Sequence, residues 1–196
     1  NNILSLGGSV NIVTNHNWKD ITKTRFVDRR TNHMFMRLDE NDLNFDACNL
    51  KMIDYSFYDA IVVSDYNKGF LSKDQLVTIS QNSKLSFLDT KKILGPWAMD
   101  FDFIKINNSE FEKSKDFLDK TLLDKLIVTQ GPHGCTYGGV KYPVQPVEVK
   151  DTSGAGDTFL SGFCVEYCES QNICQSIRFA NECATKVVQK IGVAVV

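Results

Sequence analysis

The chain has no long apolar run, no basic excess and no paired-cysteine spacing, and each absence removes a class of function. No stretch approaches the ~20 consecutive apolar residues of a bilayer-crossing helix, and the first residues lack the basic and apolar regions of a secretory leader. The chain therefore reads as cytoplasmic, with no membrane as partner. A formal net charge of −2 gives no electrostatic reason for binding nucleic acid, which leaves a small molecule as the expected ligand. Six cysteines are present without a C-x-x-C pair, and the three histidines are scattered. Cys164 and Cys168, four apart in a helix-like stretch, read as reduced side chains packed on one face rather than as metal ligands. Also missing are the G-x-x-x-x-G-K-S/T of a P-loop enzyme and the H-R-D and D-F-G of a protein kinase. Glycine and proline are too few for a disordered or collagen-like chain. With 196 residues, the remainder is long enough for one globular α/β domain and too short for two.

What is present alternates. "TKTRFVDRRTNHMFMRLD" carries two β-like runs around Thr31 and Asn32, the pattern of a hairpin. "YDAIVVSD" is a short apolar run ending in Asp65; "SKDQLVTISQ" is helix-like with Ser72 as N-cap; "KLSFLD" ends in Asp89. "FDFIKIN" ends in Asn107, "SEFEKSKDFLDK" has a helical pattern, and "KLIVT" ends in Thr129. Strand alternating with helix predicts a largely parallel sheet covered on both faces, with ligands beyond the carboxyl ends of its strands. Asp65, Asp89, Asn107 and Thr129 are all predicted on that edge. The turn-rich "QGPHGCTYGGVKYPVQPVEVK" reads as antiparallel additions to the sheet, and "TFLSGFCVEYC" and "ICQSIRFANECATKVVQK" as two helices packed on it.

"DTSGAGDTF", residues 151–159, lies between a presumptive strand "VEVK" and the first of those two helices. Gly154, Ala155 and Gly156 would then occupy a helix N-terminus, where unpaired backbone N–H groups and the helix dipole attract anions. The plainer reading is a tight turn that needs glycine only for its dihedral angles. Asp157, in the first helical turn, is explained by the dipole alone; it is also placed to deprotonate a hydroxyl while amides hold the phosphoryl group attacked. The sharper reading is phosphoryl transfer to an alcohol.

The stretch resembles the D-T-x-G-A-G-D signature of the ribokinase-like (PfkB) carbohydrate kinases, with every specified position present. "NNSE" (residues 107–110) is similar to that family's N-x-x-E motif, "TQGPHG" (129–134) to its T-x-G-x-x-G nucleotide strand and turn, and Asn181 in "FANECA" to an asparagine near the adenine pocket. "GGSVN", "TKTRF", "MRLDEND", "VSDYNKGFLS" and "NNSEFE" look like segments of the heptose-7-phosphate kinase domain of ADP-heptose synthesis. The resemblance implies a three-layer ribokinase-like α/β fold, with ATP and Mg²⁺ as cofactors and a sugar or sugar phosphate as acceptor. It implies Asp157 as general base, with Gly154, Ala155 and Gly156 as the anion hole. Asn107, Glu110, Thr129, Gly131, Gly134 and Asn181 would contact the nucleotide, Asn107 and Glu110 holding the metal through water. Gly7, Gly8, Asn11, Asp65 and Lys68 would face the acceptor, and Lys68 could pair with a phosphate on it or simply be a solvated surface lysine. A homodimer is the candidate assembly.

Relatives begin with a strand and an acidic substrate-binding segment ahead of the double glycine, and they have more chain between "GGSVNIVTN" and "KDITKTRF". The expectation is one kinase domain over residues 1–196 that is incomplete on its N-terminal side, with a reduced or missing lid. Two readings stand beside a heptose kinase: a kinase for a different sugar, and a non-catalytic nucleotide-binding or assembly protein that has lost sugar binding. An anion-binding hydrolase is a third, without a dedicated motif. Retention of the base, the cradle and N-x-x-E favours the kinase.

Overall fold

The computed structural model describes residues 1–31, 33–42, 46–192 and 194–196. A short helix α1 (Asn2–Ser5) precedes strands β1 (Thr22–Val27) and β2 (Met34–Glu40), which pair antiparallel as a ribbon of their own. Asp28 closes the hairpin, its amide donating to His33 O at 2.8 Å and its carboxylate accepting from the Arg30 and Thr31 amides. Asn32, where the turn is expected, lies outside the described residues. Every ribbon residue but Asp39 is exposed.

The alternating segments fold as the pattern predicts. β3 (Ile61–Asp65), α2 (Lys73–Asn82), β4 (Ser86–Thr90), β5 (Phe103–Asn107), α3 (Asn108–Ser114), α4 (Lys120–Leu123) and β6 (Leu126–Thr129) follow in order. The antiparallel β7 (Cys135–Tyr137) and β8 (Val140–Tyr142) come next, then α5 (Ala155–Ser170) and α6 (Ile173–Val187). The main sheet has the order β3-β4-β5-β6-β7-β8, parallel through β6 and antiparallel beyond. Ser72 caps α2 as expected, in a reciprocal box with Gln75.

Side chains one residue apart on a strand point to opposite faces, and this divides the core in two. Leu88, Ile104, Ile106, Leu126 and Val128 pack with Leu76 and Ile79 of α2 and Leu122 of α4. Phe87, Phe103 and Ile127 pack with Phe159, Phe163 and Cys164 of α5 and Ile177 and Ala180 of α6. Phe103 and Phe163 meet edge to face, 5.0 Å between centroids. The same alternation puts Lys105, between Ile104 and Ile106, on the α5 side. Cys164 is buried in this layer and Cys168 packs at its margin; all six cysteines are free thiols.

Two local expectations are corrected. The single helix expected over "SEFEKSKDFLDK" is broken: α3 stops at Ser114, a 3-10 turn follows at Lys115–Phe117, and Asp119 starts α4 by accepting from the Leu122 amide at 2.9 Å. A short acidic side chain that can cap a new helix competes with continuing the old one. "VEVK" is not a strand. The amides of Lys150 and Asp151 both donate to Val188 O at the end of α6, so the segment is fastened to that helix instead of to the sheet edge.

Candidate active site

Because β3 to β6 are parallel, Asp65, Asp89, Asn107 and Thr129 come to one edge, and all four line a cleft of about 960 Å³ between that edge and the start of α5. Gly131, Gly134, Gly154, Ala155, Gly156, Asp157 and Asn181 line it too. The structure thus brings together the expected base, cradle and most of the expected nucleotide contacts. It does not bring Gly7, Gly8, Asn11, Lys68 or Glu110 to the wall of that cleft.

The cradle is a true helix start. Gly154 precedes α5 with φ +81°, a left-handed conformation suited to glycine, and no side chain caps the helix. The Ala155 amide leans on Thr152 O at 3.3 Å. Asp151 holds the turn from behind, its carboxylate accepting from the Ser153 amide at 2.8 Å and the Gly192 amide at 3.1 Å. Burial alone would raise the Asp151 pKa, but these amides and the charge of Arg25 outweigh it and hold the carboxyl below its ordinary range. Gly156 is needed for a different reason. A Cβ there would lie 2.7 Å from the ammonium of Lys105, so its bareness lets that cation sit beneath the cradle.

Lys105 is buried and donates to Asp89 Oδ2 at 2.6 Å, while Asp89 Oδ1 is buried without a hydrogen-bond partner. Lys91 stands 3.9 Å from that oxygen and is paired with Glu110. Burial would lower the Lys91 pKa; the bond to Glu110 and the charges of Asp89, Glu110 and Asp157 reverse the shift and raise it. Glu110 also accepts from the Asn107 amide and side chain, each at 2.8 Å, while Asn107 Oδ1 accepts from the Glu110 amide. The N-x-x-E pair is therefore the capping box of α3 as well as a carboxylate beside the cleft. Over Asp157, the Tyr66 hydroxyl donates to the carboxylate at 3.3 Å. Burial and then the Asp157 charge push the Tyr66 pKa up to about 12, so Tyr66 stays a neutral donor.

The remaining expected residues have local tasks. Asp65 is buried, with Oδ2 accepting from Thr90 and Lys92 and Oδ1 from the Asn67 amide. The Thr129 hydroxyl donates to Ile106 O at 3.3 Å. Gly131 and Gly134 have left-handed φ, and a Cβ at Gly134 would fall 2.0 Å from Tyr142 O. The Asn181 amide donates to Tyr142 O at 3.1 Å, joining α6 to β8. Lys68 pairs with Asp42 at 3.1 Å. Gly7 turns the chain with φ +88°, Gly8 donates to Ile3 O, and Asn11 is exposed with its side chain 3.1 Å from the Tyr58 hydroxyl. Sequence reasoning missed Tyr66, Lys91 and Lys105. Tyr66 follows an expected strand-end aspartate, Lys91 is two residues beyond another, and Lys105 is a charge at an inward position of a buried strand.

This architecture is ribokinase-like. It superposes on ribokinase from Thermotoga maritima with a TM-score of 0.65 at 19% identity, over 87% of this chain and 64% of that one. With a nucleoside kinase of Methanocaldococcus jannaschii the TM-score is 0.61 at 16% identity, over 88% and 62%. Residues 11–195 match the model of the pfkB family carbohydrate kinases, and the chain belongs to that family. Among curated relatives, the bifunctional protein HldE of Nitratiruptor sp. is 32% identical over 70% of this chain and 34% of its own length. That of Pseudomonas savastanoi pv. phaseolicola is 29% identical over 92% and 43%. The chain thus spans well under half the length of these relatives.

Proposed function

We propose that this chain transfers the terminal phosphoryl group of ATP to a hydroxyl of a sugar phosphate of the heptose 7-phosphate type. The observation that carries the reading is Asp157: a carboxylate in the first turn of α5, beside an uncapped helix start, with a neutral tyrosine donating to it. Asp157 accepts the proton of the attacking hydroxyl, Tyr66 orients the carboxylate, and the amides of Gly154 to Gly156 meet the charge on the transferred group. Lys105 adds a fixed positive charge below the cradle, where low solvent access makes it count for more than in water. The wall formed by Val144, Pro146, Val149 and Val188 suits a purine face.

The residues fit a hydrated magnesium ion. Asp89 Oδ1 is a buried carboxylate oxygen without a partner, and the Glu110 carboxylate nearby already collects a cation in Lys91. Asn107, Glu110 and Asp89 would hold the ion's water shell, and when bound it would neutralise charge on the nucleotide phosphates. Support for a heptose acceptor comes from the HldE relatives, at identities near 30%. The test is ADP release from MgATP across a panel of sugars and sugar phosphates. Acceptor-dependent ADP formation, fastest with heptose 7-phosphate, is the expected result. Tight MgATP binding with no acceptor-dependent turnover would favour the non-catalytic reading, and turnover with another sugar alone would replace the heptose.

A further inference from the structure

The β1-β2 ribbon carries an unbalanced set of charges on one face. In register, Lys23 pairs with Asp39 and Arg25 with Arg37, so these four side chains project to the same side. Two guanidinium groups directly opposite each other across an antiparallel pair are destabilising. Arg37 is relieved in part by Asp39, whose Oδ2 it reaches at 2.9 Å; Asp39 Oδ1 is buried without a hydrogen-bond partner. This face looks toward the active site. Lys23 Nζ lies 4.8 Å from the ring centroid of Tyr66, the residue that donates to Asp157, and Arg25 is close enough to Asp151 for its charge to lower that carboxyl's pKa. A cationic face with one unused acceptor, two contacts away from the base, lacks an anion that also offers hydroxyls.

We infer that Lys23, Arg25 and Arg37 form the subsite for the acceptor's own phosphate, with Asp39 Oδ1 accepting from a neighbouring hydroxyl of the same sugar. The inference rests on the kinase reading for the position of the reacting hydroxyl at Asp157. The two guanidinium groups that repel in the empty ribbon both bond phosphate oxygens when the acceptor is in place, and Lys23 adds a third donor. Lys68, the sequence candidate for this task, is committed to Asp42. The ribbon therefore selects phosphorylated over free sugars, and it does so electrostatically.

Steady-state kinetics and calorimetry on the whole chain test this with heptose 7-phosphate and free heptose as probes. Arg25→Ala and Lys23→Ala should each raise the KM for heptose 7-phosphate about tenfold or more, the range of a charge-assisted hydrogen bond, without moving the KM for MgATP. Arg25→Lys should recover part of the loss, because it keeps the charge and loses the two-pronged geometry. Calorimetric affinity for heptose 7-phosphate should fall in the same order and weaken with added salt. Wild-type protein that binds free heptose as tightly as heptose 7-phosphate, or alanine variants that bind the latter like wild type, would overturn the inference. Binding of heptose 7-phosphate that these variants weaken, without any turnover, would leave the subsite standing and sink the kinase reading instead.

Discussion

At the strand-end edge, Lys105 and Asp89 lie 2.6 Å apart beneath the cradle, Lys92 answers Asp65, and Lys91 answers Glu110. On the ribbon, Arg25 faces Arg37 across the pair, and Phe26, Phe35, Met36 and Leu38 are exposed. One region is charge-balanced before any ligand arrives; the other acquires its complement from what it binds. The edge is built on two packed layers that fix its strands. The ribbon has only its own ladder, so its geometry is free to respond to an acceptor.

Removing one charge from each region should separate them most sharply. Lys105→Met leaves Asp89 buried beside an apolar chain and should cost about 3–5 kcal/mol in urea unfolding, the range for breaking a buried pair. A cost near zero would show that the edge does not depend on this pair. Next in size is Gly134→Ala: a Cβ 2.0 Å from Tyr142 O at a left-handed φ should cost about 2–3 kcal/mol. Gly139→Ala, left-handed but with nothing within 4 Å, should cost only about 1–2 kcal/mol. Equal losses at the two glycines would mean that backbone strain alone matters there and the close approach to β8 does not.

A smaller effect is expected at the boundary of the two regions. With its pKa pushed up to about 12 against an ordinary value of 10.0, the Tyr66 phenol keeps its proton longer in the folded chain than in the unfolded one. Its contribution is whole below pH 10.0 and is lost as pH rises through about 12. Unfolding free energies measured by urea at stepped alkaline pH should fall across that window, and Tyr66→Phe should flatten the fall; an unchanged alkaline limb would place the phenol away from Asp157. Smallest of all, Lys23→Ala should change folding stability by less than about 0.5 kcal/mol, because an exposed charge on a ribbon contributes little without ligand. A loss comparable to that of Lys105→Met would erase the distinction between edge and ribbon.

The edge was legible in the sequence because alternation and strand ends are periodic signals. Four short apolar runs, each ending at or beside a polar residue, predict a parallel sheet and the row Asp65, Asp89, Asn107 and Thr129 that lines the cleft. The cradle at residues 154–156 was legible for the same reason, from glycines at a loop-to-helix junction. Lys105 was hidden: its role depends on a strand two neighbours away from β3 bringing it against Asp89, and on the bare Cα of Gly156, neither of which is local. The break between α3 and α4 was hidden because Asp119 competes as a cap within a continuous helical pattern. Residues 147–150 were misread as a strand since alternation reports a β-like side-chain rhythm, whereas their amides go to Val188. The acceptor side was the least legible. Gly7, Gly8 and Asn11 lie off the cleft wall, and the charges that face it come from a hairpin whose register no single segment specifies.

The most direct test of the account is the kcat of Asp157→Asn for acceptor-dependent ADP release, measured beside its affinity for MgATP. With Asp157 as the base, kcat should fall by at least about 10²-fold while nucleotide affinity is little changed. A folded variant that turns over at the wild-type rate would contradict it and leave Asp157 a helix-stabilising residue.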